Sequence, residues 1–302
     1  MAKMFDTLTE DIYHVLDQNE EHTLGDVESV ASSLATQLTS ATEIRTKGRE
    51  VGKLWASDLG KPCMRQHWYN FNAPEDGEKL GGHTMFKFLY GNVLEDVVLW
   101  LAKEAGHDVV CEQERIESTI SDWTVSGRID AIIDGVLCDV KTTSSYGFQR
   151  YKEGITDAND SFGYLWQVGF YTHFNEIEPA PKSSGFVWID KQNGHVATTV
   201  CTDQMPSEED IIERVETIAE SVSRDNDRDV IRGYSPEPYG KSGNMALPIS
   251  CSYCPFKQRC YADANGGRGL RAFAYNHKPV WFTEVVREPK VPEITDYASI
   301  QS

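Results

Sequence analysis

The sequence is poor in positive charge. Lysines and arginines number 29 against 47 aspartates and glutamates in 302 residues, a formal net charge of −18. That balance argues against a chain that coats nucleic acid through indiscriminate phosphate contacts. A secretory signal and a long apolar stretch are also missing, so the expectation is a cytoplasmic protein with reduced thiols and no membrane partner. The helicase loop G-x-x-x-x-G-K-[ST] is nowhere found, and internal repeats and low-complexity tracts are absent. What is present is 40% hydrophobic and 11% aromatic residues, enough for a substantial core in one large or two modest domains.

The charge is unevenly spread. Residues 1–48 hold nine acidic against three basic side chains, and residues 206–230 repeat that ratio. Residues 47–68, by contrast, carry five bases and two acids, and residues 255–278 carry five bases and one acid. These two basic stretches are the candidate phosphate-facing surface.

The most informative run is Gly127 to Lys141. Asp134-Gly135 is a strong two-residue hairpin signal, because a type I′ turn needs positive φ at both central residues. Ile132 and Ile133 before it, with Val136 and Leu137 after it, suit two strands. Counting outward, Asp130 falls opposite Asp139, and paired residues of an antiparallel ladder project to one face. Lys141 shares that face by the period of two. Like charges opposed across a sheet repel, so a cation between the carboxylates is expected. Two carboxylates suit Mg²⁺ or Mn²⁺, hard ions that prefer oxygen and retain waters. A metal held there activates water and stabilises charge on a phosphate oxygen, with the lysine orienting the nucleophile. Arg128 is placed to face phosphate or to pair with Glu95 or Asp139.

Asp130 with Asp139-Val140-Lys141 resembles the core of the PD-(D/E)XK nuclease superfamily. Gln167-Val168-Gly169-Phe170-Tyr171 is similar to the Q-x-x-x-Y motif of its RecB-type exonuclease branch, and Tyr90-Gly91-Asn92-Val93-Leu94-Glu95 to the first-helix motif. The proline of the superfamily's name is Ile129 here, and the first-helix motif offers Glu95 and Asp96 in place of a histidine. The resemblance spans roughly residues 50–262. It implies an α/β, restriction-endonuclease-like core, a mixed central sheet flanked by helices. It also implies Glu95 as a further metal ligand beside Asp130 and Asp139, and DNA contacts from Gln167 and Tyr171 near the scissile phosphate. Val140 is expected to add its carbonyl as a ligand.

Three of the seven cysteines cluster as Cys251, Cys254 and Cys260. Their C-x₂-C-x₅-C spacing fills three positions of a tetrahedral metal or cluster site, and Cys63 is the candidate for the fourth. Four thiolates suit a [4Fe-4S] cluster and equally a structural zinc. One upstream cysteine with three near the C-terminus resembles the iron–sulfur staple of RecB-type nucleases, CRISPR-associated members among them. That resemblance implies a cluster closing the nuclease domain around DNA, with Trp68 and Tyr69 shielding it. Cys111, Cys138 and Cys201 lie in apolar strand contexts and are expected to be core thiols.

Periodicity predicts helices over 5–18 and 26–40, with Phe5, Leu8, Ile12, Val15 and Leu16 as an apolar stripe. Further helices are expected at 54–70 (Ser57-Asp58 as capping pair, broken at Pro62), 83–105, 163–174 and 207–224. Strands are expected at 108–117, 122–133, 136–143, 185–190 and 195–201. Residues 232–250 read as a loop, and the tail after 265 as irregular with one strand at 280–286. The domain expectation is an acidic helical region over 1–48, a nuclease domain over 49–265 ending in a C-terminal Fe-S segment, and a tail over 266–302.

The function expected from motifs and resemblance is a Mg²⁺- or Mn²⁺-dependent DNA exonuclease, acting on single- or double-stranded ends in replication, recombination or DNA processing. Its free-standing size resembles phage or CRISPR-associated nucleases, which places it in the host cytoplasm if phage-encoded. The acidic N-terminal region is a candidate surface for a partner or for homo-oligomerisation. The alternatives are an endonuclease on the same fold and a non-catalytic binding module stabilised by a cluster or zinc.

Overall fold

The computed structural model describes residues 3–17, 27–41, 49–79, 81–275 and 278–295. In chain order the helices are α1 (Leu8–Leu16), α2 (Val27–Ala41), α3 (Ala56–Leu59), α4 (Met64–Asn72), α5 (Gly82–Glu104), α6 (Ser145–Tyr151), α7 (Tyr164–Phe174), α8 (Glu208–Val222), α9 (Ile249–Ser252) and α10 (Lys257–Cys260). The strands are β1 (Lys53–Trp55), β2 (Val109–Val110), β3 (Arg115–Ile120), β4 (Trp123–Arg128), β5 (Ala131–Ile133), β6 (Val136–Thr143), β7 (Ser183–Asp190), β8 (Val196–Val200), β9 (Glu237–Pro238), β10 (Met245–Ala246), β11 (Arg271–Tyr275), β12 (Lys278–Glu284) and β13 (Glu293–Ile294). The chain divides into two compact units, one of residues 1–45, 52–61 and 87–216, the other of residues 46–51, 62–86 and 217–302.

The first unit is an α/β arrangement around a mixed five-stranded sheet of order β2-β5-β6-β7-β8. Strand β6 is its centre, antiparallel to β5 and parallel to β7. Side chains alternate across a strand, which divides β6 between two environments. Val136, Cys138 and Val140 face a core that also takes Val187 and Ile189 of β7, Val98, Leu99 and Ala102 of α5, and Leu8, Ile12 and Val15 of α1. Leu8 and Ile12 are essentially inaccessible, each contributing roughly 1.5–3 kcal/mol of burial free energy. Leu137, Asp139 and Lys141 therefore point to the other face. The predicted α1 stripe holds for Phe5, Leu8, Ile12 and Val15, but Leu16 is half exposed at the end of its helix. The predicted helix ends at 18 and 26 lie outside the described residues.

Four expectations for this unit are corrected. Residues 122–133 do not form one strand: β4 pairs with β1 and β3 in a separate three-stranded sheet, whereas β5 pairs with β2 and β6. The chain changes sheets at Ile129 and Asp130, whose backbone bonds go instead to Glu114 O (3.0 Å) and Gln113 N (3.1 Å). The predicted strand 108–117 is interrupted likewise, with Cys111 and Gln113 at positive φ. Cys111 is accordingly half-buried, whereas Cys138 and Cys201 are core thiols as expected. Leu54 and Trp55 also depart from the predicted helix, since with Lys53 they add a parallel strand to β4. The helix begins only where Asp58 accepts a bond from Trp55 N (3.1 Å), satisfying one of its free donors.

The second unit is built on a five-stranded sheet of order β13-β11-β12-β10-β9. The strand expected at 280–286 is present as β12, but the rest of the tail after 265 is not irregular, since β11 and β13 pair beside it, and the short strands β9 and β10 interrupt the loop expected over 232–250. Only β11 and β12 are long enough to show a period; β9, β10 and β13 have two residues each and are defined by their partners. Among the described residues no helix is long and apolar enough to cross a membrane.

Candidate metal centre and cysteine cavity

The β5–β6 hairpin turns as its sequence demands. Asp134 and Gly135 have φ of 52° and 85°, and the ladder pairs Ile133 with Val136, Ile132 with Leu137 and Ala131 with Cys138. One step farther Asp130 has left the strand, so it reaches β6 through its side chain: Oδ2 accepts a bond from Val140 N at 2.6 Å. Asp139 is buried at 1% exposure, and its Oδ2 lies 2.5 Å from Lys141 Nζ. Apart from that ion pair, Oδ2 finds no hydrogen bond of regular geometry. Glu95, on α5, takes a bond from Gln113 Nε2 at 2.8 Å.

The electrostatics tie these groups together. Burial, then the charge of Asp139, pushes Glu95 up to about 7. Burial followed by the charges of Asp139 and Glu95 holds Asp130 well above the carboxylate range. Asp139 is also raised by burial, against the opposing pull of Lys141. Burial works against the Lys141 ammonium, but Asp139 and Asp130 outweigh it and keep its pKa above the ordinary value. A lone ammonium thus fails to compensate three acids. Oxygen donors that raise one another, with a buried Oδ2 short of partners, fit a hard divalent cation in chemistry. Among the described residues no three His, Cys, Asp or Glu groups stand as they could already hold an ion. Lys141 and Val140 N are the present partners of the two aspartates.

Gln167 and Tyr171 lie one turn apart on α7, with Gln167 Nε2 donating to Tyr171 Oη at 3.2 Å. Tyr171 is buried. Its ring packs on Gly127 of β4 so closely that a Cβ there would come within 2.4 Å of Oη. Burial and the charge of Asp139 raise its pKa. Sequence reasoning missed two neighbours. Gln113 is the partner of Glu95, and it comes from an irregular turn with no motif. The Tyr164 ring centre lies 5.2 Å from Lys141 Nζ, and burial pushes the phenol up to about 12. Its spacing was a usable signal, for Tyr164, Gln167 and Tyr171 follow the i, i+3, i+7 stripe of one helix face. Arg128 is exposed, opposite Arg115 across β3 and β4.

In the second unit Cys63, Cys251, Cys254 and Cys260 line one cavity of about 20 Å³, together with Tyr69, Arg232 and Tyr261. Cys63 precedes α4, and its Sγ takes a bond from Gly233 N at 3.3 Å. A side chain at Gly233 would collide with the Cys63 backbone, 2.7 Å from the Cβ position. Burial, then the charge of Cys63, pushes Cys251 up to about 11, and burial foremost pushes Cys254 up to about 12. Burial raises Cys260 too, opposed by Arg232. Tyr69 is buried and stacked on Phe256 at 5.2 Å, whereas Trp68 is half-buried and donates to Arg224 O at 2.7 Å. The four thiols converge, but as they stand they are not among groups arranged to hold an ion.

No curated protein matches the chain. Five chains of solved structures match it. One, described as the crystal structure of SSO0001, is 14% identical with a TM-score of 0.40, covering 75% of this chain and 91% of that one. A likeness of that strength bears on neither residues nor activity. A model of the PD-(D/E)XK nuclease superfamily matches residues 13–261, a span that includes Glu95, Asp130, Asp139, Lys141 and the four cysteines of the cavity. The chain belongs to the PD-(D/E)XK nuclease superfamily.

Proposed function

We propose that the protein is a Mg²⁺- or Mn²⁺-dependent DNA exonuclease, with Glu95, Asp130 and Asp139 as metal ligands, Val140 lending its carbonyl, and Lys141 beside them. The observation that carries this reading is the junction at β6, where Asp130 bonds Val140 N and Asp139 meets Lys141 Nζ. A divalent ion bound there supplies Lewis acidity that activates water and offsets phosphate charge. Asp139 would offer an ion either its second oxygen or, on exchange with the ammonium, Oδ2. Lys141, held protonated by its acidic neighbours, then orients the attacking water and meets the developing charge on phosphorus-bound oxygen. Gln167 positions the substrate phosphate, and the buried Tyr171 hydroxyl fixes the Gln167 amide. Incubating the purified protein with end-labelled linear and circular DNA, single- and double-stranded, tests the reading. Magnesium-dependent loss of label from linear DNA only, blocked by EDTA, is the expected result; nicking of circles would move the assignment to an endonuclease.

A second reading concerns the cysteines. Four thiols around one cavity, an N–H···S bond and the nearby Arg232 favour a thiolate-ligated centre, since such donors offset the charge of bound sulfur. We assign it as a [4Fe-4S] cluster held by Cys63, Cys251, Cys254 and Cys260, with structural zinc as the competing outcome. Roles in DNA replication, recombination or processing, a phage origin, a host-cytoplasm setting and a partner or oligomer surface over residues 1–48 belong to the same proposal.

A further inference from the structure

An aromatic path runs from the catalytic lysine to the surface of the first unit. Lys141 Nζ sits 5.2 Å from the Tyr164 ring centre, and Tyr164 stacks on Phe162 with centroids 5.4 Å apart and planes 30° from parallel. Behind Tyr164 stand Phe186 and Trp188, both fully buried, at 6.3 and 6.0 Å. Phe162 ends the series with 63% of its surface exposed. An isolated exposed phenylalanine needs no explanation, but this one is held in place. Asp160 accepts bonds from the backbone N–H groups of Phe162 (3.2 Å), Gly163 (2.8 Å) and Leu165 (2.9 Å). Gly163 has φ of 74°, and a Cβ there would strike the Gly60 backbone at 2.2 Å. Arg150 braces the same loop by donating to Asn159 O at 2.9 Å. The ring is thus a rigid apolar surface, backed by a second ring and one ring removed from the lysine.

We infer that Phe162, supported by Tyr164, is a stacking platform for one unpaired nucleobase of the substrate, next to the nucleotide whose phosphate lies at Lys141. The inference rests on the nuclease reading of this site and names its substrate class: a single strand, or a duplex end frayed by at least one pair. Every base has a π-face, so the contact does not distinguish one base from another, and it favours an unpaired nucleotide over one inside a duplex. A base within a duplex stacks on its neighbours and has no free face to offer.

The test is binding without turnover. The full-length protein in Ca²⁺ is titrated with fluorescein-labelled single-stranded oligonucleotides in which one abasic site is moved along the strand. One position is expected to weaken binding by roughly 5- to 150-fold, the range for loss of a single base–aromatic stack. In Phe162→Ala that positional penalty disappears; Phe162→Tyr and Phe162→Trp restore it, and Phe162→Leu does not. In the wild type, 2-aminopurine at the same position is quenched on binding. If the penalty survives unchanged in Phe162→Ala, or Leu serves as well as Tyr, the platform is overturned even where Mg²⁺-dependent cleavage is normal. If the penalty and its rescue are found but no DNA is cut in Mg²⁺, the platform stands and the nuclease assignment falls.

Discussion

The carboxylate centre and the cysteine cavity solve one electrostatic problem in two ways. Each gathers acids that push one another's pKa upward, in both cases with burial as the leading cause. The carboxylate centre contains its own counter-charge, Lys141, two residues from Asp139 on the same strand. The cysteine cavity draws compensation from outside its motif, through Gly233 N and Arg232. A site with an internal cation can exist without metal and exchange it, which suits a catalytic ion. Four half-buried thiols, with Arg232 and Arg65 near Cys260 but no cation paired to each sulfur, have less to fall back on, which suits a resident one.

The largest effect expected from breaking this comparison is at the carboxylates. Asp130→Asn or Asp139→Asn should lower the cleavage rate on the order of 10³-fold or more, leaving DNA affinity equal or higher because repulsion of phosphate falls. Near-wild-type rates in Asp139→Asn would remove the assignment. Lys141→Ala should be inactive yet bind Mn²⁺ at least as well, since Asp139 loses the partner that competes with the ion. Titration with Mn²⁺ followed by EPR reads this directly.

Next in size is the sulfur site. Protein purified without oxygen should be brown, absorbing near ~400 nm with about four irons per chain. Cys63→Ala should lose the colour as fully as Cys254→Ala, and its thermal midpoint should drop, because a centre linking distant segments restrains the unfolded chain. A colourless protein with one zinc makes the site structural zinc, and a full cluster in Cys63→Ala removes that residue from the ligand set.

The same contrast explains what could be read from the sequence. The Asp134-Gly135 turn determines the pairing of Ile133 with Val136, and period two then carries Asp139 and Lys141 to one face, so half of the carboxylate centre was legible locally. The family resemblance added Glu95, but nothing local announced Gln113, which reaches it from a positive-φ turn. The switch between sheets at Ile129 and Asp130 was equally hidden: both halves of 122–133 alternate like one strand, and only their partners differ. In the second unit, β9, β10 and β13 are too short to carry a period: β13 and β10 exist because β11 and β12 offer edges, and β9 because β10 does. The cysteine spacing was visible, but which backbone and side-chain donors face the sulfurs was not.

A smaller effect should be found in the pH dependence of the metal-free protein. The folded pKa of Glu95, about 7, lies above its ordinary 4.5. The folded state therefore holds the proton more tightly, and stability falls as pH rises through that interval, by a few kcal/mol at most. In EDTA the wild-type melting temperature should decline from pH 5 to pH 8 more steeply than that of Glu95→Gln. Saturating Mg²⁺ should flatten the wild-type curve, since the ion stabilises the ionised form. Equal slopes in wild type and Glu95→Gln would separate Glu95 from the carboxylate cluster.

The smallest effect tests whether Tyr171 acts through Gln167. Tyr171→Ala is uninformative about chemistry, because emptying a fully buried aromatic site costs about 3–5 kcal/mol of stability by itself. Tyr171→Phe keeps the ring against Gly127 and removes only the 3.2 Å bond to the Gln167 amide, a loss of about 1 kcal/mol. If the hydroxyl orients Gln167 toward the phosphate, Tyr171→Phe and Gln167→Ala should each lower kcat/KM by roughly ten-fold or less. The double variant should then be no worse than Gln167→Ala, since the hydroxyl has nothing left to hold. Independent, multiplying losses would mean that the hydroxyl serves the site by a separate route. Unchanged kcat/KM in both single variants, with a lowered melting temperature, would reduce the pair to the packing edge of α7.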